Sequence, residues 1–217
     1  MKLHSSKILI IGAILLAGTF GGLSQGFINL NFEKANIVFV SGPVATTNAL
    51  PGWSFFSGTN KQSTVAYNAY AVPTTSGLVG SNRLVLNGNF SASLDGNESI
   101  SQTGLVPNGT ESLLFDATSS FLLVSLGDQN LSYTAISTAV NSYGDSYTLY
   151  AANISAFAGQ TEALTFSSPL GHYGILDNIQ FSPQAVPEPA TSSLFFLAGG
   201  VLIYVRTRNK KHSAPAL

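Results

Sequence analysis

The chain contains no cysteine, one methionine and one tryptophan in 217 residues, and only 9% of its residues are charged. The absence of cysteine excludes disulfides, thiolate metal sites, cysteine nucleophiles and a lipid-modified N-terminal cysteine. A domain without disulfides must be held by its core or by a bound ion. The few charges are unevenly placed. Lys2 and Lys7 lie at the N-terminus, and Arg206, Arg208, Lys210 and Lys211 at the C-terminus. Between residues 25 and 184, three basic side chains (Lys34, Lys61, Arg83) stand against nine acidic ones. That excess of acid argues against a nucleic-acid partner, which needs basic surface. The polarity of the middle comes instead from Ser, Thr, Asn and Gly, a composition suited to a neutral, wet, sugar-like or matrix environment.

Histidine is also scarce. His4 and His212 lie in the terminal segments, so His172 alone could serve a Ser-His-Asp set, and no Gly-x-Ser-x-Gly elbow accompanies it. A two-carboxylate glycosidase needs acids at a fixed separation in space, which the sequence does not display. No aromatic-rich acidic cleft motif is present. The expectation is a protein that is not an enzyme.

No apolar run reaches the roughly 20 residues that a membrane-spanning helix needs, but both ends carry shorter ones. Residues 1–7 are basic, residues 8–17 (ILIIGAILLA) are apolar, and Gly21, Gly22 and Ser24 supply small residues. This is the layout of a secretory signal peptide over residues 1–24, cut by signal peptidase near Ser24. At the other end, Val186, Pro187, Glu188 and Pro189 open an extended segment, because the two prolines exclude regular structure. An apolar helix over about 190–205 follows, and then Arg206, Arg208, Lys210 and Lys211. Apolar span followed by positive charge is a stop-transfer pattern that leaves the tail in the cytoplasm. Residues 186–211 resemble the PEP-CTERM sorting signal of exopolysaccharide-producing Gram-negative bacteria: the Pro-Glu-Pro triplet, the apolar helix and the basic end occur in that order. The resemblance implies an inner-membrane-anchored precursor, processing by an exosortase at or near Pro187-Glu188-Pro189, and release to the cell surface or extracellular matrix.

Residues 25–185 form the remaining domain. No helical period is sustained there. Short runs rich in β-branched and aromatic residues alternate with turn signals such as Pro51-Gly52, Asn87-Gly88 and Asp95-Gly96. Strands are predicted at 27–33, 37–40, 53–57, 64–72, 83–87, 98–103, 112–116, 121–126, 131–136, 147–153, 163–167 and 173–182. One helical turn or tight loop is predicted at 155–160. Twelve short strands at this spacing predict an all-β, antiparallel β-sandwich or jelly roll, flanked by the N-terminal signal helix and the C-terminal transmembrane helix.

A second resemblance rests on Asn31-Phe32-Glu33, Pro51-Gly52-Trp53, Ile100-Ser101-Gln102-Thr103, Ser112-Leu113-Leu114-Phe115-Asp116 and Leu176-Asp177-Asn178-Ile179. In this order they are similar to carbohydrate-binding-type jelly rolls of the galactose-binding-like fold. The resemblance implies that the first and last strands run close together with a structural calcium beside them. Glu33 and Asp177 would be its carboxylate ligands, since a hard cation takes several oxygens. Asn178 stands where the group often has a second acid. The sole tryptophan, Trp53, follows Pro51-Gly52 and precedes Phe55 and Phe56, a position more often in the core, and it is also a candidate for stacking on a sugar ring, with Tyr67, Tyr70, Tyr143, Tyr147 and Tyr173 as alternatives. The sequence thus predicts an exported, exosortase-sorted structural or adhesive protein of the envelope or matrix, with a carbohydrate-binding module docking on extracellular polysaccharide as the alternative and a secreted glycan-active enzyme third.

Overall fold

A computed structural model describes residues 26–37, 42–68, 77–80 and 84–186. The signal segment, Pro187, Glu188, Pro189, the apolar tail helix and the four basic residues Arg206, Arg208, Lys210 and Lys211 lie outside these residues. Among the described residues, no helix is long and apolar enough to cross a membrane.

In chain order the strands are β1 (Gly42–Ala45), β2 (Ser54–Ser57), β3 (Asn60–Gln62), β4 (Thr64–Tyr67), β5 (Leu78–Gly80), β6 (Phe90–Leu94) and β7 (Glu98–Leu105). There follow β8 (Ser112–Ala117), β9 (Leu123–Leu126), β10 (Gln129–Asn130), β11 (Tyr133–Val140), β12 (Ser146–Asn153), β13 (Thr161–Ser168) and β14 (Gly174–Ser182). They form two sheets, eight strands in the order β1-β4-β5-β6-β14-β8-β12-β11 and six in the order β10-β9-β13-β7-β2-β3. The protein is an all-β sandwich. Its pairing is antiparallel except where β4 meets β5 in parallel at Tyr67 and Leu78, and where Gly26 bridges Leu105. A 3-10 turn, Ser155–Phe157, occupies the predicted tight loop.

The core sits between the sheets because alternate residues on facing strands are apolar. Leu113, Phe115 and Ala117 of β8 point into it, and Leu164 and Phe166 of β13 meet them from the other sheet. Phe115 is the centre of an aromatic cluster, with ring centroids 5.2 Å from Tyr133, 5.3 Å from Phe166 and 5.5 Å from Tyr150. The edge-on contacts with Tyr133 and Phe166 suit the aromatic quadrupole, which disfavours a face-to-face sandwich.

Two predicted strands are corrected. Residues 27–33 form a turn, not a strand. Asn29 and Phe32 take positive φ values of 53° and 57°. The buried Asn29 side chain holds the turn by donating to the Pro51 carbonyl (3.1 Å) and accepting from the Lys34 amide (2.9 Å). Local side-chain bonds of this kind compete with strand pairing. Residues 84–87 likewise cross the surface as an irregular segment, and the strand follows at β6. The large sheet is consequently covered on both faces around β5 and β14. One packs on the core. The other carries a second small cluster in which Val85 and Leu86 close over Val79 and Ile175.

Candidate functional site

The covering segment 84–91 builds the site on the outer face of the large sheet. Asp116 on β8 and Asp177 on β14 are register partners there, and both are buried. Asp177 Oδ2 accepts from the Ser91 hydroxyl (2.7 Å) and the Asn87 amide (3.1 Å), and its Oδ1 accepts from the Asn178 amide (2.7 Å). Ser91 Oγ in turn accepts from the Leu86 amide at 3.0 Å, so the loop is tied to the carboxylate through one hydroxyl. The ladder between β14 and β8 is irregular between Asp177 and Gln180. Within that bulge Asn178 adopts φ 49° and donates from Nδ2 to Asp116 Oδ2 at 3.1 Å. Burial pushes the Asp177 carboxyl up to about 7, against the opposing pull of its three donors. Asp116 is raised as well, again by burial.

Glu33 approaches from the N-terminal turn. Its Oε1 accepts from the backbone amides of Asn89 (2.7 Å) and Phe90 (3.0 Å), and its Oε2 from the Asn89 side chain (2.8 Å). Gly88, at φ +66°, makes this approach feasible, because a Cβ there would lie 2.4 Å from Glu33 Oε1. Glu33 and Asp177, paired from the sequence, do line one recess of about 100 Å³, with Asn31, Asn87, Gly88 and Asn178. Two carboxylates and three side-chain amides make its chemistry oxygen-rich and anionic, which suits a hard cation such as calcium. Among the described residues, no group of three or more His, Cys, Asp or Glu side chains could hold a metal. Carbonyl and amide oxygens would have to complete a coordination shell.

The recess shares Asn87 and Gly88 with a larger cleft of about 490 Å³, lined by residues 85–89, residues 140–143 and Tyr147. Asn141 joins its two walls. Its Nδ2 donates to the Val85 carbonyl at 3.0 Å, while its Oδ1 accepts from the amides of Tyr143 (3.0 Å) and Asp145 (2.9 Å). Tyr143 is exposed on the rim. The Tyr147 phenol is raised by burial and then by the charges of Asp116 and Asp177, which keeps it a neutral donor. The lining therefore combines amides, hydroxyls and aromatic rings with the aliphatic Val85, Leu86 and Val140, and includes no charged side chain.

The reading of Trp53 as a stacking platform is corrected. Its indole is 5% exposed, tilts against Phe32 at 5.9 Å and donates from Nε1 to the Asn29 carbonyl at 3.0 Å. Trp53 is a core residue that locks the N-terminal turn. Tyr67 is buried too, whereas Tyr143 and Tyr173 are exposed; Tyr70 lies outside the described residues. His172 stacks its ring on Phe121 at 4.3 Å. Sequence reasoning missed Asp116, Ser91 and Asn141. Only the Asp116 position carried a signal: an acid within an apolar strand that is buried on both faces.

No known protein family, curated protein or solved structure matches this chain.

Proposed function

We propose that this protein is exported, sorted to the cell surface or extracellular matrix, and acts there by adhesion rather than catalysis. The observation that carries the reading is the division of its polar groups. The acids of the site are buried or bound by amides, as Asp177, Asp116 and Glu33 are, while the open cleft offers only uncharged side chains: amides, hydroxyls and rings, with the aliphatic Val85, Leu86 and Val140 among them. Neutral donors and acceptors beside an aromatic ring match a polyhydroxylated ligand. This supports the second reading, docking on extracellular polysaccharide, with Tyr143 and Tyr147 rather than Trp53 as the proposed contact. The two-sheet sandwich is compatible with a galactose-binding-like jelly roll. Its oxygen-rich recess is compatible with one structural calcium held by Glu33 and Asp177.

The test is a polysaccharide-array assay on residues 25–185, with and without calcium. Binding that falls at least tenfold in Tyr143→Ala while the fold is retained supports the polysaccharide reading. Binding unchanged in Tyr143→Ala, or silence across the array, removes it and leaves adhesion to protein partners. Sorting is tested separately: alanines at Pro187, Glu188 and Pro189 should leave a larger, membrane-held form, and a mature product of unchanged size would refute processing there.

A further inference from the structure

The lining of the cleft is of two kinds, and the mixture discriminates among sugars. Part of it is aliphatic. Val85 and Leu86 are almost wholly buried in the small cluster with Val79 and Ile175, so they stand as a fixed apolar surface. Val140, at the end of β11, is the exposed member of the three. The rest is polar, and much of it is already engaged. The Asn141 side chain bonds Val85, Tyr143 and Asp145, and Asn89 gives its Nδ2 to Glu33. The Asn87 backbone amide serves Asp177. Its side-chain amide has no partner among the described residues, and neither do the hydroxyls of Ser142 and Tyr147. A primary amide and free hydroxyls therefore stand beside aliphatic side chains in one cleft of about 490 Å³, within the roughly 300–1,000 Å³ of small-molecule sites.

Three classes of sugar would meet this lining differently. A plain hexose presents hydroxyls alone, and a hydroxyl set against Val85, Leu86 or Val140 loses water without gaining a partner. A uronate brings a carboxylate toward negative charge. Asp116 and Asp177 already bear on the Tyr147 hydroxyl, and Glu33 lines the recess that shares Asn87 and Gly88 with the cleft. A 2-acetamido sugar brings one planar amide and one methyl group. The amide can exchange hydrogen bonds with a second amide, and the methyl takes apolar surface out of water.

We propose that the cleft recognises an N-acetylated hexosamine unit of the polysaccharide, its acetamido N–H and C=O pairing with the Asn87 side chain and its methyl packing on Val140 beside Val85 and Leu86. The inference rests on the polysaccharide reading and names the sugar class within it. Tyr143 and Tyr147 then hold the sugar ring.

Titration calorimetry of the full-length chain, in a detergent without a sugar headgroup, tests it. The linear tetramers of glucose and of N-acetylglucosamine share one linkage and differ only at C2, and a glucuronate oligomer supplies the carboxylate. The N-acetylglucosamine tetramer should bind at least tenfold more tightly than the glucose tetramer, in line with the roughly 10–200-fold that a methyl-sized group discriminates in an apolar pocket. Glucuronate should bind more weakly still. Val140→Thr exchanges a methyl for a hydroxyl at constant shape, and Asn87→Ala removes the side-chain amide while the backbone bond to Asp177 stays. Each should lower affinity for the acetamido tetramer about fivefold, the worth of one methyl contact or one hydrogen bond, and either serves should the other not fold. Equal affinity for the glucose and N-acetylglucosamine tetramers, or a preference for glucuronate, overturns the proposal and leaves the polysaccharide reading standing. An acetamido preference untouched by both substitutions overturns it too, by placing the contact elsewhere. Silence toward every glycan removes both.

Discussion

Asp177 gives the sandwich a stability that should fall as pH rises. Its carboxyl is almost wholly buried, and its protonation range is moved from the ordinary 3.8 to about 7. Between those values the folded chain holds a proton that the unfolded chain has released. Stability is therefore fullest below 3.8, declines through the interval, and is lost above about 7. At about 1.4 kcal/mol for each pH unit, the whole decline amounts to roughly 4 kcal/mol, a large part of a domain's total stability. The perturbation is Asp177→Asn, which keeps the shape and cannot titrate. Its amide turns an N–H toward donors that now face an oxygen, which costs a constant amount and drops out of the pH dependence. Urea unfolding of residues 25–185, followed by the emission of the buried Trp53, gives both stabilities. The wild type minus variant difference should fall by roughly 4 kcal/mol between about pH 4 and pH 8. A flat or rising difference would refute the reasoning, and would mean that the donors from Ser91, Asn87 and Asn178 outweigh burial. Calcium enters the same experiment. An ion beside Glu33 and Asp177 would offset the buried charge, flatten the pH dependence and raise the melting temperature over a chelated sample. A melting temperature indifferent to chelator sinks the calcium site.

Two further substitutions check the site's construction. Trp53→Phe should cost about 1–3 kcal/mol by removing the indole donor to the buried Asn29 carbonyl, which keeps only the long bond from the Phe32 amide, and Trp53→Ala about 3–5 kcal/mol, measured by thermal unfolding; unchanged stability with lost glycan binding would restore Trp53 to the ligand surface. Gly88→Ala should cost at least about 1 kcal/mol, since a Cβ is forced onto Glu33 at a left-handed φ. Combining it with Glu33→Ala should cost less than the sum of the two single changes, and strict additivity would deny the contact.

The sequence by itself determined the sandwich and its longest strands. β8, β12, β13 and β14 are short runs rich in apolar, β-branched and aromatic residues between turn signals, and that signal is local to each segment. It also singled out Glu33 and Asp177, which the structure brings to one recess. Only the tertiary structure decided how the outer face is closed. Residues 83–87 read like a strand by composition, but the partners of the segment 84–87, Asp177, Ile175 and Asn141, lie far along the chain, and contacts at such separation leave no period to read. The same holds at the first turn. Phe27, Ile28 and Leu30 suggest a strand, and the turn exists because Asn29 is clasped by Pro51, Lys34 and Trp53. Trp53 shows the limit most directly. A lone tryptophan after Pro51-Gly52 suits either a binding face or a core, and the choice was made by Phe32 and the Asn29 carbonyl, which fold back to cover it.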